Sequence, residues 1–126
     1  MKYQKVLLID DDLDDQEIFV LAVEEISSEL KCIICHNSDE ALRQLQENQT
    51  EVDVVFLDWN LPGSSGYEIL MQLKSISGME NVPIIIFSTS SDQQTMQKAF
   101  DLGASDFITK PNRLHLLVAS LTPILT

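Results

Sequence analysis

The sequence predicts an α/β fold, a doubly wound parallel sheet assembled from five β-α units. Three observations carry that expectation. Short apolar runs rich in β-branched and aromatic residues alternate with longer segments whose apolar residues recur at helical spacing. The runs at 6–9, 54–57 and 84–87 are apolar without interruption, as central parallel strands covered on both faces should be. Four runs stop at side chains capable of chemistry: Asp10 and Asp11, Asp58, Ser88 and Lys110.

The first strand covers Val6 to Ile9, and the helix after it places Phe19, Ala22, Val23 and Ile26 on one buried face. Cys32 to Cys35 is a second, shorter strand suited to a sheet edge, followed by a helix that starts at Ser38 and carries Ala41, Leu42 and Leu45. The third strand, Val52 to Leu57, leads through the loop Pro62-Gly63-Ser64-Ser65-Gly66 into a helix with Ile69, Leu70 and Leu73. The fourth, Val82 to Phe87, precedes a helix capped by Ser91 before Asp92, carrying Met96, Ala99 and Phe100 and ended by Gly103. The fifth, Phe107 to Thr109, turns at Pro111 into a helix with Leu114, Leu117, Val118 and Leu121. With the second and fifth runs at the edges, the expected arrangement is flavodoxin-like, strand order 2-1-3-4-5. Such sheets bind ligands beyond the carboxyl ends of their strands, where the order reverses, so Asp10, Asp11 and Asp58 should share one crevice.

Size and charge narrow the function. A chain of 126 residues with 44% hydrophobic content is expected to fold as one domain over residues 1–126, with no second domain. No apolar run approaches a membrane span or a signal-peptide core, which makes the cytoplasm the expected compartment. Acidic residues outnumber basic ones 20 to 8, for a formal charge of −12. That balance argues against direct nucleic-acid binding, which needs a positive surface. Glu24, Glu25, Glu29, Glu47 and Glu51 read as a solvated surface, whereas the Asp run at 10–15 follows a strand.

Three carboxylates in one crevice repel one another, and a divalent cation removes the conflict. Mg²⁺ takes hard oxygen ligands and typically combines one or two carboxylates with phosphate oxygens. Asp58 is the candidate nucleophile toward phosphorus, forming an aspartyl phosphate. Lys110 would pair with one phosphoryl oxygen and the Ser88 hydroxyl would donate to another. Neutralising charge spread over the transferring group is most of what this reaction requires.

The stretches Ile9-Asp10-Asp11-Asp12, Leu57 to Pro62 with Gly66, Pro83 to Ser88, and Gly103-Ala104 followed by Thr109-Lys110-Pro111 resemble the receiver domain of bacterial two-component response regulators. The resemblance covers almost the whole chain. It implies that Asp58 is the phosphoacceptor, charged by a sensor histidine kinase or a histidine phosphotransfer protein. It also implies that Asp11, Asp58 and the Asn60 backbone carbonyl contact Mg²⁺, with Asp10 acting through water, and that the Lys110–Pro111 peptide is cis. Phosphorylation would draw Ser88 inward, Phe107 would follow, and the surface around the fourth helix, fifth strand and fifth helix would be remodelled for a downstream protein target. The chain departs from the pattern at Phe107, which lacks the hydroxyl of the usual Tyr, and at Thr89, bulkier than the usual small residue. Asn60 and Ser90 stand where the family tunes self-hydrolysis.

Other motifs fail on physical grounds. Cys32-Ile33-Ile34-Cys35-His36 spells a haem-attachment motif, yet in a strand residues three apart face opposite ways, so the cysteines read as structural. Asp10, Asp12 and Asp14 begin like a calcium loop, but Asp15 stands where its glycine belongs and Leu21 where its bidentate Glu belongs. His36 and His115 are isolated. The rival is a small haloacid-dehalogenase-type phosphatase with Asp10 as nucleophile and Asp12 as its second acid, which leaves Asp58 without a role. The expectation is therefore a stand-alone receiver that promotes its own phosphorylation and dephosphorylation without being a turnover enzyme. Its expected state is a monomer or weak homodimer, with Leu121, Ile124 and Leu125 mostly buried on the sheet.

Overall fold

A computed structural model describes residues 3–47, 51–89 and 92–126. Among them run five strands, β1 (Lys5–Ile9), β2 (Lys31–Cys35), β3 (Val54–Asp58), β4 (Ile84–Ser88) and β5 (Asp106–Thr109). They alternate with α1 (Leu13–Ile26), α2 (Ser38–Glu47), α3 (Gly66–Ser75), α4 (Gln93–Asp101) and α5 (Leu114–Leu125). All pairings are parallel and the order is β2-β1-β3-β4-β5, as the sequence predicts. Ile9 pairs with Leu57, so one further step along each strand brings Asp10 and Asp58 to the same edge. Ser88 pairs with Thr109, which sets Lys110 one step beyond on the outermost strand.

Alternation along the strands divides the core in two. Leu7, Ile9, Val55, Leu57, Ile84 and Ile86 meet α2, α3 and α4 through Leu45, Leu70, Leu73 and Ala99. Val6, Leu8, Val54, Phe56, Ile85 and Phe87 meet α1 and α5 through Phe19, Val23, Leu117, Leu121 and Leu125. Phe19 stands edge-on to Phe56 at 5.1 Å and to Phe87 at 5.8 Å between ring centroids, a favourable quadrupole geometry. Leu121 and Leu125 are fully covered, so the apolar end of α5 is spent on the sheet.

The element boundaries differ from expectation for identifiable reasons. Pro83 has no N–H to give the ladder, so β4 begins at Ile84 rather than Val82. Before β3, the Asp53 carboxylate accepts from the Gln4 and Lys5 backbone N–H groups at 2.8 Å each while its own N–H donates to the Lys5 carbonyl at 2.9 Å, so side chain and backbone together hold that segment. The cap of α2 is Asn37, whose side-chain oxygen accepts from the Glu40 N–H at 2.8 Å, while the Ser38 hydroxyl lies 3.4 Å from that of Ser64. Asp92 caps α4 by accepting from Thr95 N–H at 2.8 Å; Ser90 and Ser91 lie outside the described residues. Gly103, at φ 107°, ends α4 in the left-handed conformation that glycine tolerates.

Candidate functional site

The crevice at the carboxyl edge forms where β1 and β3 end and their chains depart to opposite faces of the sheet. Asp10 is fully buried and Asp58 nearly so, whereas Asp11 is exposed. One carboxylate oxygen from each of the three lies within 4.8 Å of the others. These three hard oxygen donors fit a small divalent cation.

Local hydrogen bonds fix Asp10 from several sides. Its Oδ1 accepts from Asp12 N–H at 3.0 Å and its Oδ2 from Lys110 Nζ at 2.9 Å, while Gln16 Nε2 donates to its backbone carbonyl at 2.7 Å. Burial lifts the Asp10 carboxyl to a pKa of about 6, and the charge of Asp58 adds to the rise; the Asp12 N–H and the Lys110 ammonium oppose it. Lys110 moves upward too. Burial favours its neutral form, but hydrogen bonds to Asp15 and Asp10 and the charges of Asp10 and Asp58 outweigh that and keep it protonated.

Lys110 leaves the end of β5, its backbone N–H bonded to the Ser88 carbonyl, and passes over the Phe87 ring with Nζ 5.4 Å from the centroid. Nζ ends 2.8 Å from Asp15 Oδ2, 2.9 Å from Asp10 Oδ2 and 3.4 Å from Asp58 Oδ2. The Asp58 Oδ1 atom accepts from Asn60 N–H at 3.1 Å. The Asn60 side chain donates toward the Ser88 and Thr89 hydroxyls, both at 3.4 Å. Thus Asp10, Asp11, Asp58, Asn60, Ser88 and Lys110 all border one crevice. Phe107 is buried among the residues facing α4, on the strand beside Ile86.

Two contributors were missed in the sequence. Gln16 and Asp15 belong to the helix-initiating segment, where a polar residue reads as a capping or solvated group. Gln16 stands three residues before Phe19 on the same face, so a polar side chain at a buried helical position was the available signal. One expectation fails: no described peptide bond is cis, so Lys110–Pro111 is trans. Proline makes the two isomers close in energy, and the surrounding structure chooses between them.

The decoy motifs resolve as expected. Cys32 faces the α1 side and Cys35 the α2 side, and both are free thiols. Burial, with Glu24 and Glu40 adding to it, pushes them up to about 12 and about 11 respectively. Asp12 caps α1 by accepting from Asp15 N–H at 3.0 Å. His36 pairs with Glu40 at 3.3 Å on the surface, and His115 is exposed.

Residues 6–122 match the family model of the response regulator receiver domain. The chain is 31% identical over 120 residues to the phosphate regulon transcriptional regulatory protein PhoB of Pseudomonas aeruginosa, covering 95% of this chain and 51% of PhoB. It thus spans about half the length of the curated relatives it matches first. The phosphorylated cyanobacterial phytochrome response regulator RcpA superposes with a TM-score of 0.83 at 28% identity, over 97% of this chain and 91% of that one. The Mn²⁺-bound form of response regulator Rcp1 gives 0.83 at 24% identity, over 96% and 91%, a likeness of fold. The phosphatase alternative is not supported: the match is to the receiver family, Asp12 is occupied as a cap, and Asp58 lies inside the crevice.

Proposed function

The chain belongs to the response regulator receiver domain family, and from that premise we propose that Asp58 is its phosphoacceptor, charged by a sensor histidine kinase or a histidine phosphotransfer protein. Receiver domains of this kind are phosphorylated by histidine kinases and regulate downstream targets. The observation that carries the assignment is the meeting of the Asp10, Asp11 and Asp58 carboxylates within 4.8 Å, with an ammonium 3.4 Å from Asp58 Oδ2.

In the proposed step, an Asp58 carboxylate oxygen attacks phosphorus. The O–P bond forms as the N–P bond of the donor phosphohistidine breaks, and the departing imidazole nitrogen takes up a proton. Asp10, Asp11, Asp58 and the Asn60 carbonyl would hold Mg²⁺, which when bound offsets negative charge on the phosphoryl oxygens. Lys110 supplies a fixed positive charge on the other flank, and its burial keeps that charge poorly screened. Ser88, buried at the end of β4, offers its hydroxyl to a phosphoryl oxygen. Phe107, on β5, then follows Ser88, altering the α4-β5-α5 surface that a protein target reads. Domain extent 1–126 and a cytoplasmic setting belong to the same proposal; no described helix is long and apolar enough to cross a membrane.

Incubation with radiolabelled acetyl phosphate and Mg²⁺ tests the assignment. The wild-type protein should acquire an acid-stable, hydroxylamine-labile label, mapped to Asp58 by mass spectrometry. Asp58→Asn should acquire none. Label on another side chain, or undiminished label in Asp58→Asn, would refute it. Backbone chemical shifts should change around Phe107 and α4 as well as beside Asp58; changes confined to Asp58's neighbours would remove the switch.

A further inference from the structure

Asp15 lies in the first turn of α1, outside the strand-end set, yet its carboxylate is the nearest acceptor to Lys110 Nζ. An ammonium has three donors. Two are committed at 2.8 Å to Asp15 and 2.9 Å to Asp10, while the 3.4 Å separation from Asp58 Oδ2 exceeds the usual charge-assisted length of about 2.7–2.9 Å. In the unphosphorylated chain the ammonium is thus drawn toward α1 and held short of Asp58.

We infer that Asp15 is a positioning residue that competes with the phosphoryl group for Lys110, and so sets how tightly the crevice holds that group. The inference rests on the reading of Asp58 as the phosphoacceptor. Exposure identifies which carboxylate yields. The Asp15 side chain is 37% exposed and that of Asp10 0%. Asp10 is closed to water and stays paired with the cations of the crevice, whereas water can solvate Asp15. The first turn of α1 also suits a released carboxylate, because the helix dipole places partial positive charge there. Lys110 can therefore shift its weight from Asp15 toward phosphoryl oxygens while keeping Asp10.

Beryllofluoride, an acyl-phosphate mimic, tests this in saturating Mg²⁺ with Trp59 emission as the readout. Asp15→Asn should bind it about two- to fivefold more tightly than wild type, the range expected for losing one half-exposed ion pair. Asp15→Glu, which restores a competing carboxylate, should return the affinity toward wild type. Asp14→Asn removes an equal charge from the same turn and should leave affinity near wild type. Equal or weaker binding by Asp15→Asn overturns the inference, as does equal tightening by Asp14→Asn. Melting curves establish that each variant is folded. A folded wild-type protein that binds no beryllofluoride would refute the phosphoacceptor reading itself, and this inference with it.

Discussion

Lys110 Nζ and Asp10 Oδ2 lie 2.9 Å apart although their strands are separated by β3 and β4. Three strand spacings amount to roughly 14 Å, so the lysine stem and the loops at the carboxyl edge must lean over the sheet to close the gap. The pair is buried within the crevice, and the two residues are 100 apart in the chain. Its electrostatics dominate how the metal-free protein should respond to pH and to substitution.

Asp10 has a folded-state pKa of about 6 against an ordinary 3.8. Its native form binds the proton more tightly than its unfolded form, so the contribution favours folding at low pH and is lost as pH rises from about 4 to about 6. The expected loss is on the order of 2 to 3 kcal/mol. Urea unfolding of wild type and Asp10→Asn in chelator, across pH 4 to 7, isolates it. The difference between the two should change over that window and level off above it; a constant difference would contradict the burial argument.

Asp58→Asn removes one member of the like-charged trio and should stabilise the metal-free protein by about 1 kcal/mol, or roughly 3 °C in Tm. Adding Mg²⁺ should shrink or reverse that gain, since the ion binds the native wild type more tightly. Scanning calorimetry with chelator and with Mg²⁺ checks both signs.

Gly66 opens α3 with no room above it. A Cβ there would lie 2.5 Å from the Trp59 ring, which itself stands edge-on to Tyr67 at 4.8 Å between centroids. Gly66→Ala should displace the indole and cost about 1–3 kcal/mol. A red shift of Trp59 emission together with a lower urea midpoint is the expected result.

Cys32 and Cys35 should resist thiol reagents at neutral pH, because thiolate is the reacting species and burial keeps both protonated. Denaturation should release two fast-reacting thiols. Oxidation should form no internal disulfide in the native state, since the side chains lie on opposite faces of the sheet; mass spectrometry of alkylated protein reads both outcomes.

The sheet order was legible because Val54–Leu57 and Ile84–Phe87 are apolar on both faces, and only central strands need that. Asp10, Asp11, Asp58, Ser88 and Lys110 were legible as strand-end residues, since the end of an apolar run is a one-dimensional signal. Asp15 was not, because its contact with Lys110 spans 95 residues and depends on how α1 and the turn after β5 lean together. Asn37 and Asp92 cap their helices in place of the expected serines for a simpler reason: two adjacent residues of similar capping ability cannot be ranked without the backbone angles.

The sheet also acts as a partition between Ile69, packed on the α3 side, and Val23, packed on the α1 side. Groups kept apart in this way share no cavity and no repacking route, so their defects should be additive. Ile69→Val and Val23→Ala combined should lower stability by the sum of the two single losses, whereas a pair chosen within one half should show measurable coupling. Evolution of this chain can therefore explore the two halves as separate problems.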